Sequence, residues 1–87
     1  MSQFNWQQQT IVLTGAAGGL GQALAEALSQ RGARLIMVGR TIGTLDALAK
    51  RLNQTSFVAD LTQQSERVRL LKFITEQGAA VTGLINN

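Results

Sequence analysis

The chain has 87 residues, of which 45% are hydrophobic and 15% charged, and its formal net charge is +3. Cysteine, histidine, tyrosine and proline are absent, which excludes disulfides, thiolate or imidazole metal sites and the commonest acid–base side chains. The eight basic residues form no run and no aromatic residues interleave with them, so the charge predicts solvated helix faces and no nucleic-acid partner.

No targeting or membrane-spanning segment is predicted. Residues 1–9 are polar and uncharged, unlike the basic and then apolar segments of a signal peptide. No apolar run approaches the roughly 20 residues that a membrane-spanning helix requires. We therefore expect a cytoplasmic protein without membrane contact.

The first half of the chain predicts two strands separated by a helix. Thr10–Thr14 is a compact run rich in β-branched residues, which indicates a strand buried on both faces. Leu35–Val38 indicates a second strand of this kind. Between them, apolar residues with helical spacing predict one inward stripe, formed by Leu20, Ala23, Leu24, Ala27 and Leu28. Gly32 follows, where a helix commonly ends on a residue of positive φ.

A second helix and a third strand come next. Thr41 or Thr44 is available as the N-cap of this helix. Its inner face would carry Leu45, Leu48, Ala49 and Leu52. Ser56–Ala59 predicts the third strand, which Asp60 ends.

The last third of the chain predicts one more helix and one more strand. Thr62 is expected to cap the helix. Its inner face would carry Val68, Leu71 and Ile74. Val81–Ile85 predicts the fourth strand. The order β-α-β-α-β-α-β indicates an α/β class with a parallel sheet, the N-terminal half of a doubly wound Rossmann fold. Residues 1–87 would form this partial domain, with residues 1–9 as an N-terminal extension.

The glycine-rich segment Thr14–Gly21 lies between the first strand and the first helix. Such a turn directs free backbone N–H groups and the positive end of the helix dipole at one point, which suits a pyrophosphate. Gly15 would allow the tight turn, Gly19 the close approach of phosphates, and Gly21 the close packing of helix on strand. The alternative is a tight connection without a ligand, which the position inside a βαβ unit disfavours.

Three motifs in this order resemble the short-chain dehydrogenase/reductase family. Thr14–Gly21 matches its TGxxxGxG fingerprint, and Asp60–Leu61 stands where the family has its adenine-contacting pair. Asn86–Asn87 resembles the first half of the NNAG motif after the fourth strand. The spacing of Gly18 also fits the TGxxGxxG pattern of the extended branch, which contains sugar-nucleotide epimerases. The terminal asparagine pair favours the shorter, single-domain branch.

The resemblance implies a dinucleotide site formed by Gly15, Gly19, Leu20, Gly21, Arg40, Asp60, Leu61, Asn86 and Asn87. It implies that Asp60 meets the adenine amino group beside the Leu61 backbone, that Asn86 ties strands together and that Asn87 lies near the adenosine ribose. A plain turn role for Asp60 is the alternative, because aspartate favours turns.

The cofactor expected is NADP rather than NAD. NAD-binding relatives of this fold place an acidic residue after the second strand, where it binds the ribose 2′-hydroxyl. Here Gly39 stands twenty positions after Gly19, and Arg40 follows. A guanidinium can bind a 2′-phosphate through paired hydrogen bonds. The alternative is an exposed arginine that starts a helix. A second basic residue, common just before the middle glycine, is replaced by Gly18.

The resemblance implies hydride transfer between NADP(H) and a carbonyl or alcohol. In that family the catalytic tyrosine, lysine and serine follow the fourth strand, and this chain has no tyrosine, so we expect no catalytic residue in it and no metal site. A non-catalytic nucleotide-binding module or sensor is the alternative. A methyltransferase that uses S-adenosylmethionine is disfavoured by Gly39–Arg40. The edge of the fourth strand predicts self-association through Val81, Leu84 and Ile85.

Overall fold

The computed structural model describes residues 4–78 and 80–87. Their regular elements are β1 (Thr10–Thr14), α1 (Gly19–Gln30), β2 (Arg34–Gly39), α2 (Ile42–Leu52), β3 (Thr55–Val58), α3 (Gln64–Glu76) and β4 (Gly83–Ile85). The four strands pair in parallel in the order β3-β2-β1-β4. The predicted α/β class and parallel sheet are confirmed.

The segment before β1 packs onto the domain. Trp6–Gln8 form one turn of 3-10 helix, and Trp6 contacts the core. Within the predicted extension, residues 1–3 lie outside the described part of the chain.

Both faces of the sheet are covered by helices because neighbouring side chains of a strand point to opposite sides. On β1, Ile11 and Leu13 face α1 and α2, whereas Val12 faces α3. The α1/α2 face buries Ile11, Leu13, Ala16, Ala25, Leu28, Ala33, Leu35, Met37, Leu45, Leu48 and Ala49. The α3 face buries Val12, Ile36, Val38, Ala59 and Leu70.

The inward stripe predicted for α1 was wrong in its first turns. Leu20 is 65% exposed, and Ala23 is also exposed. The buried positions are Gly21, Ala25 and Leu28. The reason is the closeness of α1 to the turn after β1: a Cβ at position 21 would lie 2.0 Å from the Gly15 carbonyl oxygen. Only glycine fits there. The inner face of α1 is therefore centred on small residues, which do not form a recognisable apolar pattern in the sequence.

The face predicted for α2 was correct. Leu45, Leu48 and Ala49 are buried, and Leu52 packs against the same cluster. Thr41 is the N-cap residue by position, although its side chain makes no capping hydrogen bond.

The cap predicted for α3 was wrong, and the predicted inner face was correct only at Ile74. Gln63 rather than Thr62 is the N-cap residue, because the Thr62 hydroxyl donates to Asp60 instead. The helix buries Leu70 and packs Phe73 and Ile74 against the sheet. Of the predicted side chains only Ile74 packs inward; Val68 is 58% exposed and Leu71 64%. A single helix covers only part of the α3 face, so apolar residues at its flank stay exposed.

The strands β3 and β4 differ slightly from their predicted limits. Strand β3 is displaced by one residue, and Ala59 follows it as a buried residue. Strand β4 begins at Gly83 because Thr82 pairs with β1 through isolated contacts. The Thr82 N–H donates to the Thr10 carbonyl (2.8 Å), and the Thr82 hydroxyl oxygen accepts from the Thr10 N–H (3.0 Å).

Candidate cofactor site

The glycine turn after β1 has a backbone that other residues cannot adopt without strain. Gly15 has φ +62° and its carbonyl accepts a hydrogen bond from the Gly18 N–H (3.2 Å). A Cβ at Gly15 would lie 2.7 Å from the Asn87 carbonyl oxygen. Positive φ and this close approach both require glycine.

The first turn of α1 carries backbone N–H groups that have no acceptor in the described part of the chain. The first helical hydrogen bond runs from the Gln22 N–H to the Gly18 carbonyl (2.8 Å). Within residues 4–78 and 80–87, the N–H groups of Gly19, Leu20 and Gly21 have no acceptor, and Gly18 offers no capping side chain. Among the described residues, no heavy atom other than those of its chain neighbours and of the backbone of α1 lies within 4 Å of the place that a Cβ at Gly19 would take. Free donors at a helix N-terminus form a site for an anion.

An open cleft of about 490 Å³ lies at the carboxyl ends of the strands beside this turn. Its walls are formed by Thr14, Gly15, Val38, Gly39, Arg40, Ala59, Asp60, Leu61, Thr62, Asn86 and Asn87. Six of the predicted site residues are therefore brought together in one cleft. Gly19 and Leu20 lie on the adjacent first turn of α1, and Gly21 packs against Gly15 and Ala16 in the turn after β1.

Arg40 supplies a positive charge at the cleft. It follows β2 directly and is exposed. The ion pairs among the described residues are Lys50–Asp46, Arg51–Glu26 and Arg69–Glu66. Arg40 thus has no carboxylate within 4.0 Å in this part of the chain. The neighbouring Gly39 is buried, and a Cβ there would meet Leu45 and Ala17 at ordinary contact distances of 3.5–3.8 Å.

Asp60 supplies a negative charge to the same cleft. Its Oδ1 accepts from the Thr62 hydroxyl (2.7 Å) and the Thr62 N–H (3.1 Å). These two hydrogen bonds and the charge of Arg40 lower the pKa of Asp60 below its ordinary value of 3.8, so the carboxylate is ionised at neutral pH. Asp60 is therefore a turn residue, and its second oxygen still has no donor among the residues described.

The asparagine pair joins the end of β4 to the glycine turn. The Thr14 hydroxyl donates to Asn86 Oδ1 (2.8 Å) and accepts from the Asn87 N–H (3.1 Å). Asn87 Nδ2 donates to the Gly15 carbonyl (3.2 Å). Thr14 and Thr62 were not among the predicted site residues. A hydroxyl at the end of a strand and an Asp-x-Thr spacing are the signals that could have identified them.

Together these groups can hold an extended, anionic ligand with a planar apolar part. Free N–H groups and Arg40 suit phosphates, while Val38 and Ala59 form an apolar wall beside Asp60. Within the described ranges no cluster of three potential metal ligands occurs. None of the described helices is long and apolar enough to cross a membrane.

The structure is similar to solved dehydrogenases. The Pseudomonas aeruginosa RhlG/NADP active-site complex superposes with a TM-score of 0.84 at 29% identity, over 91% of this chain and 34% of that one. The citronellol catabolism dehydrogenase AtuB of the same organism gives a TM-score of 0.89 at 25% identity, over 95% and 37%.

Sequence relatives agree with this likeness. An uncharacterised oxidoreductase of Staphylococcus epidermidis is 34% identical over 83 residues, which are 93% of this chain and 36% of that protein. Human dehydrogenase/reductase SDR family member 11 is 29% identical over 89 residues, or 94% and 34%. The chain thus spans about a third of the length of these relatives.

A family model described as short chain dehydrogenase matches residues 9–87. This match covers nearly the whole chain and every motif on which the resemblance depends. The chain belongs to the short-chain dehydrogenase/reductase family.

Proposed function

We propose that this chain forms the NADP-binding part of an oxidoreductase that transfers hydride between NADP(H) and a carbonyl or alcohol substrate. One observation carries the proposal: the N–H groups of the first turn of α1 and the side chain of Arg40, all without partners in the described part of the chain, lie at the same edge of the sheet. Family membership supports it, as does the likeness to RhlG, which was solved with NADP.

The residues of the cleft fit the parts of a dinucleotide. The N–H groups of Gly19–Gly21 would bind the diphosphate, and Arg40 the 2′-phosphate. Asp60 and the Leu61 backbone would meet the adenine, with Asn87 near its ribose and Asn86 holding the strand ends. A bound nicotinamide cofactor supplies or accepts the hydride; this chain's contribution is to bind and orient it.

NADP is proposed over NAD because of the charge at the end of β2. A carboxylate at Gly39 would repel a 2′-phosphate, whereas Arg40 can donate two charge-assisted hydrogen bonds to it. Residues 1–87 would then be one part of a larger NADP-binding domain. The cytoplasmic location expected from the sequence stays a prediction.

Replacing the guanidinium by a carboxylate tests this preference. We expect Arg40→Glu to weaken NADP binding by about 10- to 100-fold, the value of one charge-assisted hydrogen bond, and NAD binding far less. Titration of the 87-residue chain with both cofactors measures this. The matched control is Arg34→Glu, the same charge change at the other end of β2, where Arg34 is exposed and outside the cleft. Equal weakening of NADP and NAD by Arg40→Glu would contradict the role.

Self-association through the β4 edge is also proposed. Strand β4 pairs with β1 on one side only within the described sheet, and Leu84 on it is 67% exposed. A mainly apolar groove of about 560 Å³ runs beside it. Unpaired strand edges with apolar side chains promote association.

Sedimentation equilibrium measures this association. We expect the wild-type chain to associate at high concentration and Leu84→Lys to shift it toward monomer. A wild-type chain that stays monomeric at high concentration would contradict the proposal.

A further inference from the structure

The loop Asp60–Gln63 joins β3 to α3, and side chains of α3 bind its backbone. Arg67 Nη1 donates to the Leu61 carbonyl (2.8 Å). Glu66 Oε1 accepts from the Asp60 N–H (3.4 Å). The two peptide groups that flank Asp60–Leu61 are therefore both held from the helix.

Glu66 is itself held in place by Arg69. Arg69 Nε donates to Glu66 Oε2 (2.9 Å) and its Nη2 to Oε1 (3.1 Å). The Arg69 guanidinium also donates to the Val58 carbonyl and lies 4.4 Å from the centre of the Phe57 ring. Arg69 is thus anchored on β3, which makes it a bridge between strand, helix and loop.

These contacts leave few polar groups of Asp60 and Leu61 without a hydrogen-bond partner in the described part of the chain. The Asp60 N–H is bound to Glu66, its carbonyl to the Gln63 N–H (3.1 Å) and its Oδ1 to Thr62. The Leu61 carbonyl is bound to Arg67. Within the described residues only Asp60 Oδ2 and the Leu61 N–H have no partner, and both residues line the cleft.

We propose that Glu66, Arg67 and Arg69 are positioning residues, which fix the loop so that one acceptor and one donor remain for the adenine edge. An acceptor beside a donor matches the exocyclic amino group and the adjacent ring nitrogen of adenine. It does not match hypoxanthine, where a carbonyl and a ring N–H reverse the pattern. The inference rests on the proposed dinucleotide binding and on its adenine contact at Asp60–Leu61, and it adds the side chains of α3 that hold this loop in place.

Arg67→Met tests the inference, because it removes the donor to Leu61 and keeps an apolar side chain of similar length. The 87-residue chain is titrated with NADP and with its hypoxanthine analogue. We expect the wild type to prefer NADP by about tenfold, the value of one or two net hydrogen bonds. In Arg67→Met the affinities for the two dinucleotides should differ by no more than about twofold.

Two further variants serve as controls. Lys72→Met removes the same charge from an exposed position on the same helix and should keep the wild-type preference. Arg67→Lys retains a donor at this position and should keep most of the wild-type preference for NADP. A change in the ratio of affinities is diagnostic, because a general loss of helix stability would weaken both ligands alike.

The outcomes separate the two proposals. If the wild type binds NADP but Arg67→Met weakens both dinucleotides equally, the positioning role is overturned and the dinucleotide site stands. If the wild-type chain binds neither dinucleotide, both proposals are overturned.

Discussion

The two faces of the sheet differ in how completely they are covered. On the α1/α2 face two helices bury eleven apolar residues, and Leu13, Leu35 and Leu45 there are fully buried. On the α3 face one helix buries five, and Val68, Leu71 and Leu84 stay more than half exposed. Because buried apolar area contributes about 25 cal/mol per Å², the first face supplies most of the stability. The second supplies the loop that borders the cleft.

Within this small chain, the residues that stabilise the fold are therefore largely different from those that surround the candidate site. The α1/α2 face is held by packing and by the close approach of Gly21 to the turn after β1. The α3 face places a partly exposed ion pair and side chain–backbone hydrogen bonds around Asp60–Leu61. We expect substitutions on the first face to change the free energy of unfolding and substitutions on the second to change mainly ligand binding.

The largest expected effect comes from truncating leucines on the two faces. Leu45→Ala removes a fully buried side chain and should cost about 2–5 kcal/mol of unfolding free energy. Leu71→Ala removes a side chain that is 64% exposed and should change it by no more than about 0.5 kcal/mol. Urea unfolding at low protein concentration measures both. Equal losses would mean that the α3 face is covered as fully as the other.

A smaller effect is expected from adding a methyl group to two glycines of α1. Gly21→Ala places a Cβ 2.0 Å from a carbonyl oxygen, so we expect a loss of about 1–3 kcal/mol or more. Gly19→Ala places a Cβ that meets no described atom outside α1 and its chain neighbours within 4 Å, and it should leave the unfolding free energy unchanged or raise it by up to about 1 kcal/mol. The same methyl group should weaken NADP binding, because it would occupy the space proposed for the diphosphate. A Gly19→Ala chain that binds NADP normally would contradict the assignment of that space.

The smallest expected effect is the acid sensitivity of the α3 face. The hydrogen bond from Arg69, followed by that from the Asp60 N–H, lowers the pKa of Glu66 below its ordinary 4.5. A lowered carboxyl pKa gives stability that is present above pH 4.5 and lost as the pH falls through the lower, folded value. We expect the unfolding free energy of the wild type to fall more steeply than that of Glu66→Gln as the pH drops below 4.5. Parallel pH profiles would contradict this contribution, which exposure keeps small.

The sequence predicted the parts of the fold that depend on apolar runs. The strands and the inner face of α2 carry large aliphatic residues with clear spacing, so their patterns identify the core. The inner face of α1 depends on Gly21 and Ala25, whose small side chains give no such pattern. On α3, Val68 and Leu71 resemble core residues in the sequence, but one helix cannot bury its whole circumference against the sheet.

The candidate site was predictable to the extent that it follows from backbone topology. Parallel strands bring their carboxyl ends to one edge, so Gly15, Arg40 and Asp60 were expected to lie near one another. The bonds from Glu66 and Arg67 to the loop were not predicted. They depend on where α3 begins and on side-chain rotamers that no spacing rule fixes.

The contact between Asn87 and Gly15 has a consequence for the order in which the protein assembles. These residues are 72 positions apart, so their meeting requires closure of a long segment, which local helices do not require. The glycine turn would therefore reach its final shape only after the fourth strand has docked. A nucleotide that binds only the completed turn would stabilise the docked fourth strand by mass action. It would thereby couple the first strand of the chain to the last.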